Sequence, residues 1–349
     1  MKQVFFWAVL CLLLATTAQA APVTVKSAWL DEYEALPAWY AHERQWDAEA
    51  GISLDMRIYP SGKFLMDNMS SIKWDVAGLG GAPAVPGMLR KQAIVVGIGS
   101  DEAAANAVYV RPDSPLLTAF QQKLSARDYA RLVTGKVVLC PRGTSAHQLL
   151  LLWLDRMGLS EESISLMDTP PAESVGNLSG GVGDMAVLWS PETWAAEQAG
   201  LKALLTGKDL GLVQPTLLMA RCDYAEKNPD GVRAFLACYL RAVEALRAMP
   251  AEELGALYRQ FQKEFCGKDI SAEQAARDVA SHTLYPLDRQ REVLASEGEL
   301  LTWLGDVIAF HERTGELSRG QTRAIRELSL VRADFLPASL PESHASDGQ

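Results

Sequence analysis

The stretch "CPRGTSAHQLLLLWLDRMGL", Cys140 to Leu159, decides how the chain is read. Before it, Val137 to Cys140 is a short apolar run of strand type. Within it, Gly143-Thr144-Ser145 opens a segment whose apolar residues recur as on a buried helix, Thr144 to Met157, stopped by Gly158. Strand, glycine-bearing loop and helix is the half-unit of an α/β sheet. The same twenty residues hold a Cys, a Thr, a Ser and a His, which raises nucleophilic catalysis. The spacing argues against it. Ser145 and His147 are two apart on a helix and point to different sides. "GTSAH" also lacks the G-x-S-x-G frame of a nucleophile elbow. A helix start presents unpaired N–H groups and partial positive charge, which suits an anion. Thr144 and Ser145 are therefore read as anion-receiving residues, and Cys140 as scaffold.

Similar units repeat on either side. Upstream, Val23 to Ala28 reads as a strand, Leu36 to Ala50 as a helix, and Ile52 to Tyr59 as a half-buried strand with period two. Asp75 to Leu79 and Ile94 to Ile98 are further strands. Downstream, Ile164 to Asp168, Met185 to Trp189 and Lys202 to Leu205 are strands. Glu173 to Leu178 and Pro191 to Gln198 are the helices between them. This order implies parallel strands with helices on both faces. Two such series lie in tandem, joined near Asn106 to Pro115. Leu212 to Arg221 reads as a strand returning to the first series. From Asn228 the chain is helical: Pro229 to Met249, Ala251 to Phe265, Ala272 to His282 and Gly298 to Thr314. "GVGDMA", Gly181 to Ala186, matches a dinucleotide pattern by letter. A helix precedes it and a strand follows, the reverse of what that pattern requires.

Composition narrows the function classes. Acid exceeds base, 43 to 33, for a formal charge of −10, and no Lys/Arg block occurs. That argues against nucleic acid as a partner. Lys2, the apolar run Val4 to Leu14 and Ala18-Gln19-Ala20 read as a signal peptide over residues 1–20, cleaved after Ala20. An exported, periplasmic protein follows, in which Cys140, Cys222, Cys238 and Cys266 have an oxidising environment. Three pairings are open, with Cys238–Cys266 the first to test, and isolated buried thiols are an equal alternative. No spacing resembles a metal site, and no cofactor is expected.

In open parallel sheets, ligands bind beyond the carboxyl ends of the strands. That rule selects Trp29 to Glu32, Ser61 to Lys63, Gly80 to Pro83 and Ser100 to Glu102 in the first series. In the second it selects Arg142 to Ser145, Pro171 to Glu173 and Trp189 to Glu192. Small residues, hydroxyls and two Trp predominate. Aromatic walls with a few polar groups are the usual lining of small-molecule sites.

"PRGTSAHQLLLLWLDRMGL", "LMDTPPAES" and "DMAVLWSPE", with "YPSGKFLMDNM" and "WDVAGLGGAP" upstream, resemble in order the motifs of the sulfonate/taurine/nitrate group of periplasmic substrate-binding proteins, the NMT1/THI5-like family. The resemblance implies an α/β, type II periplasmic binding protein: two α/β lobes with a ligand cleft between them, and an ABC importer as partner. Residues 21–110 with 215–335 would form lobe 1, residues 111–214 lobe 2, and residues 336–349 a disordered tail. Carried onto this sequence, Trp29, Ser61, Gly62, Gly80, Ala82, Thr144, Ser145, Glu173, Trp189 and Pro191 occupy cleft loops. Glu32, Gly81 and Asn106 join them from the same loops. Asp31-Glu32 and Ser100 to Asn106 depart from the pattern of a simple alkyl sulfonate receptor and would suit an amine. Asp31 is expected to be a solvated loop charge.

The expected function is capture of a small organic anion (sulfonate, taurine or nitrate-like) by lobe closure, and delivery to a membrane permease. The protein is expected to be a monomer and not an enzyme. The alternatives are an exported enzyme or pyrimidine-precursor-related protein on the same fold, with Glu173 as base, and a ligand-presenting sensory module.

Overall fold

Two sheets organise the computed structural model, which describes residues 21–341 except Lys91 and Leu328. The expected signal peptide, and residues 342–349 of the expected tail, lie outside the described residues. In chain order the strands are β1 (Val23–Trp29), β2 (Ile52–Ile58), β3 (Val76–Gly80), β4 (Ala93–Asp101), β5 (Ala107–Val110), β6 (Val137–Leu139), β7 (Ser165–Met167), β8 (Met185–Leu188), β9 (Lys202–Thr206), β10 (Pro215–Arg221) and β11 (Thr283–Leu284). The first sheet has the order β11-β4-β10-β3-β1-β2, and the second β7-β6-β8-β5-β9.

Both sheets follow one plan. In the first, β1 pairs in parallel with β2 and β3, and β10 enters antiparallel between β3 and β4. In the second, β6 pairs in parallel with β7 and β8, and β5 enters antiparallel between β8 and β9. The inserted strands are where the all-parallel expectation fails. The return of Leu212 to Arg221 toward the first series is realised as β10. Because β5 pairs in the second sheet, the chain crosses between lobes at residues 102–106, earlier than position 110. It crosses back at residues 207–214. These two crossings leave the carboxyl ends of both sets of parallel strands facing one cleft.

The helices that matter to the site are α1 (Leu36–Glu43), α2 (Gly62–Asp67), α3 (Gly81–Leu89), α4 (Ser145–Arg156), α5 (Pro171–Ser179), α6 (Glu192–Gln198), α7 (Pro229–Ala248), α8 (Ala251–Glu264), α9 (Ala272–Ser281), α10 (Leu287–Leu294) and α11 (Glu299–Thr314). The expected helix Leu36 to Ala50 is two pieces. Gln45 takes a left-handed φ of 61°, which breaks it before a short turn at Trp46–Glu49. Pro229 starts α7 with a fixed φ where no N–H is required.

The first lobe packs α7 across its sheet. Trp29 is fully buried and stacks on Tyr239 at 6.1 Å, with interplanar angle 2°. Tyr239 donates its hydroxyl to the Glu34 carbonyl at 2.8 Å. Gly78 is required beneath this stack, because a Cβ there would lie 2.5 Å from the Trp29 ring. At the outer edge of the sheet, beyond the short β11 pairing, Gln290 of α10 clamps β4. Its amide donates to the Ile98 carbonyl at 2.7 Å and its carbonyl accepts the Ile98 N–H at 2.8 Å.

The four cysteines are free thiols, so the Cys238–Cys266 pairing is not formed. Cys238 faces inward on α7 and donates to the Phe235 carbonyl. The start of the expected disordered tail is instead held in place. Leu336 bonds back to Ala333, and Arg291 donates to the carbonyls of Pro337 and Ala338.

Candidate functional site

The cleft between the lobes is lined by Leu30, Glu32, Ser61, Gly62, Lys63, Gly80, Pro83, Glu102, Thr144, Ser145 and Trp189. The open space among these side chains, solvent at its mouth included, is about 290 Å³.

From the second lobe comes the start of α4. Gly143 has φ 72°, a left-handed turn that favours glycine and lets the chain swing from β6 into the helix. Thr144 is the N-cap, accepting from the His147 N–H while donating to the Pro141 carbonyl at 2.7 Å. The backbone N–H groups of Ser145 and Ala146 have no acceptor among the described hydrogen bonds. Ser145 is tied to both crossing segments: its hydroxyl reaches Asn106 Oδ1 at 3.5 Å, and its carbonyl accepts from Gln214 Nε2 at 2.8 Å. Trp189, 8% exposed at the end of β8, is the aromatic wall.

His147 does not touch Cys140 or Ser145. Gly143 N–H donates to its Nδ1 at 3.3 Å, and its Nε2 meets Glu161 at 2.9 Å. An acceptor Nδ1 and a protonated Nε2 fit both contacts, and burial pushes the imidazole pKa down in keeping with a neutral ring. Burial also pushes the Cys140 thiol well up, so it carries no thiolate. The arrangement is scaffolding for the loop, as the spacing of the residues implied.

The first lobe supplies carboxylates. Glu32 and Glu102 are 7% and 4% exposed; no ion pair engages either carboxylate among the described contacts, and Glu102 is hydrogen-bonded by Ser145 and Asn106. Glu32 holds the N-cap position of a short turn, Tyr33–Ala35, without capping it. Burial raises its pKa well above the ordinary value, reinforced by Glu34, Glu102, Asp31 and Glu192. Glu34, fully enclosed beside Gly78 and Gly99, is raised by burial and by Glu102, and one of its oxygens has no partner. Burial lifts Glu102 to about 7 against the pull of Ser145 and Asn106. Gly80 makes room for it, since a Cβ there would sit 3.3 Å from Glu102 Oε1.

The nearby cations are engaged elsewhere. Lys63 bonds Asp67 at 2.6 Å, Arg142 bonds Glu161 at 2.5 Å, and Lys268 pairs with Asp31 and Glu192. Asp31 is thus ion-paired at the mouth rather than merely solvated.

Of the expected site residues, Glu32, Ser61, Gly62, Gly80, Thr144, Ser145 and Trp189 converge on the cleft. Trp29 does not; its ring belongs to the core. Gly81 packs on the Pro215 carbonyl, and Ala82 presents its carbonyl to His311 at 2.6 Å. Asn106 and Pro191 are buried behind the lining, and Glu173 is exposed on the first turn of α5. Leu30, Lys63, Pro83 and Glu102 complete the lining. The strand-end rule had selected all four, although none was carried into the set of expected binding residues.

A family model described as NMT1-like family matches residues 18–256. A Brachyspira hyodysenteriae protein named as an ABC transporter periplasmic binding protein is 24% identical over 240 residues, 66% of this chain and 68% of that one. The fold is shared with the periplasmic aliphatic sulphonate binding protein SsuA of Escherichia coli, with TM-score 0.62 and 20% identity over 89% of this chain and 94% of that one. It is shared also with the periplasmic nitrate-binding protein NrtA of Synechocystis, with TM-score 0.68 and 16% identity over 91% and 92%.

Proposed function

Because the chain belongs to the NMT1-like family, we propose that it is the periplasmic solute receptor of an ABC importer. It captures a small molecule bearing an oxyanion, of sulfonate, taurine or nitrate type, and delivers it to a membrane permease. The observation that carries this reading is the cleft itself. It is a compact site at the strand ends of two lobes, where the free Ser145 and Ala146 N–H groups at the start of α4 receive the oxyanion. Trp189, Leu30 and Pro83 exclude water from the rest of the ligand.

Closure needs no cofactor, because binding energy from the two faces drives it. The enzyme reading loses its proposed base, since Glu173 lies outside the lining. The working form is taken to be a monomer, secreted through its N-terminal segment.

Thermal melting against alkyl sulfonates, taurine and nitrate tests the reading. Ligand at 100 times Kd stabilises by ~2.7 kcal/mol, which for a chain of this size is roughly 5 °C in Tm. The ligand must also be recovered unchanged after incubation. No shift with any oxyanion, or consumption of the bound compound, would refute the proposal.

A further inference from the structure

The start of α4 meets its ligand with peptide groups, and a peptide group can be adjusted from behind. The Ser145 carbonyl and the Ala146 N–H belong to one planar unit and point in opposite directions. That N–H is one of the two donors left free at the helix start. The carbonyl accepts from Gln214 Nε2 at 2.8 Å. A carbonyl has two lone pairs, so this bond adds to the one the helix makes. A donor on the carbonyl fixes the plane of the peptide. It also draws charge toward the oxygen, which makes the N–H on the far side a stronger donor.

Gln214 is built to hold that position. It lies in the second crossing, is 2% exposed, and takes no part in the cleft lining. Its own N–H donates to Asp101 Oδ1 at 3.0 Å, an oxygen that also accepts from the Ala103 N–H. Its carbonyl accepts from the Glu102 N–H at 3.0 Å. Both of its backbone polar groups are thus tied to the end of β4 and the first crossing. Gly207 makes room for the side chain, since a Cβ there would lie 2.7 Å from Gln214 Oε1. Oε1 is buried and has no partner among the described residues. An amide whose acceptor is stranded adds little to stability, and what remains is the donor it directs at Ser145. Asn106 is the weaker tie, since its 3.5 Å contact is at the limit of a hydrogen bond and engages the Ser145 hydroxyl rather than the peptide.

We propose that Gln214 is a positioning residue of the oxyanion site: without touching the ligand, it orients and polarises the Ser145–Ala146 peptide whose N–H receives the oxyanion. The inference rests on the oxyanion reading above and adds a residue outside the cleft that sets its strength. It also ties the site to the hinge, because the side chain that directs the peptide is rooted between the two crossings.

The test is calorimetric titration of ethanesulfonate, taurine and nitrate into the wild-type chain and into Gln214→Met. Methionine keeps the length of the side chain and removes both polar ends. The affinity for each oxyanion that the wild type binds should fall at least about fivefold. The melting temperature of the ligand-free protein should change little, since the stranded Oε1 goes together with the bond. A mere strut behaves the other way, with melting lowered and affinity intact. That result overturns the inference and leaves the oxyanion reading standing.

Nuclear magnetic resonance of the ligand-free proteins reads the peptide directly. The Ala146 amide nitrogen should move upfield in Gln214→Met as the bond to the Ser145 carbonyl is lost, and an unmoved resonance overturns the inference. If Gln214→Met fails to fold, the wild-type chain still decides. Its Gln214 side-chain amide signal should shift when the tightest of the three oxyanions is added, because the two bonds of one peptide strengthen each other. A signal that stays in place overturns the inference. If the wild type binds none of the three, this inference and the oxyanion reading fall together.

Discussion

Replacing Glu102 with Gln should make the ligand-free protein more stable at pH 8. Glu102 is 4% exposed, and burial raises its carboxyl from an ordinary 4.5 to about 7. A raised folded-state pKa means the native protein holds a proton that the unfolded chain has lost between those values. Stability contributed by the protonated form is thus intact below pH 4.5 and is lost progressively up to about pH 7. At ~1.4 kcal/mol per pH unit, the gap corresponds to ~3 kcal/mol withheld from the wild-type protein above pH 7. The amide of Gln keeps the shape and neighbours of the acid and cannot ionise. Removing the charge also relieves Glu32 and Glu34, which Glu102 repels. Scanning calorimetry of both proteins at pH 5 and pH 8 reads the effect. The melting temperatures should nearly coincide at pH 5 and separate by roughly 5 °C in favour of Glu102→Gln at pH 8. A variant that is less stable at pH 8, or a difference that ignores pH, would refute the claim that Glu102 is buried without a counter-charge.

Two further outcomes follow. Gln290→Leu should cost about 3 kcal/mol in the first lobe, seen as an earlier melting step. It strands the Ile98 N–H and carbonyl that Gln290 now satisfies, and the Tyr285 carbonyl it bonds at 3.0 Å. In small-angle scattering, the ligand-free protein should be more compact at pH 5 than at pH 8, with ligand restoring compactness at pH 8. A radius indifferent to pH would detach the cleft carboxylates from closure.

The alternation of short strands and helices, and the glycine-bearing start of α4, were legible because each is a local pattern. So was the returning strand at Leu212 to Arg221, although the sequence does not reveal that β10 and β5 enter antiparallel in the middle of their sheets. Insertion is a long-range pairing, and nothing in "AVYV" at Ala107–Val110 marks it as the second sheet's strand. Trp29 illustrates the limit at the site. As the last residue of β1 it satisfies the strand-end rule. Which way an end residue's ring turns depends on what covers the sheet, and α7, 200 residues later, offers Tyr239 as a stacking partner. Glu102 fails in the opposite direction. It reads as one acid among loop charges, and only the fold-back of the crossing segment buries it. The break at Gln45 likewise carries no strong breaker residue; a left-handed φ at a glutamine is a tertiary imposition.

Closure of such a receptor must be unfavourable enough alone to await the ligand, and favourable enough with it to persist. The cross-lobe contacts supply one side. Glu197 of α6 pairs with Arg277 of α9, Asp155 of α4 with Arg313 of α11, and Glu192 with Lys268. The side chains of the first two pairs are all more than one-third exposed, and exposed pairs contribute ~0–1 kcal/mol each. Against them stands the burial of Glu102, ~3 kcal/mol once ionised, and of Glu32 in the same direction. Thr144, Ser145 and Trp189 from the second lobe complete the enclosure of these carboxylates, so lobe opening rehydrates them. Above pH 7 the ionised carboxylates therefore outweigh the exposed latches, and the ligand-free cleft favours opening. Protonation of Glu32 and Glu102 removes the opposing contribution and leaves the latches to hold. The same two residues would thus make the resting position of the cleft depend on pH.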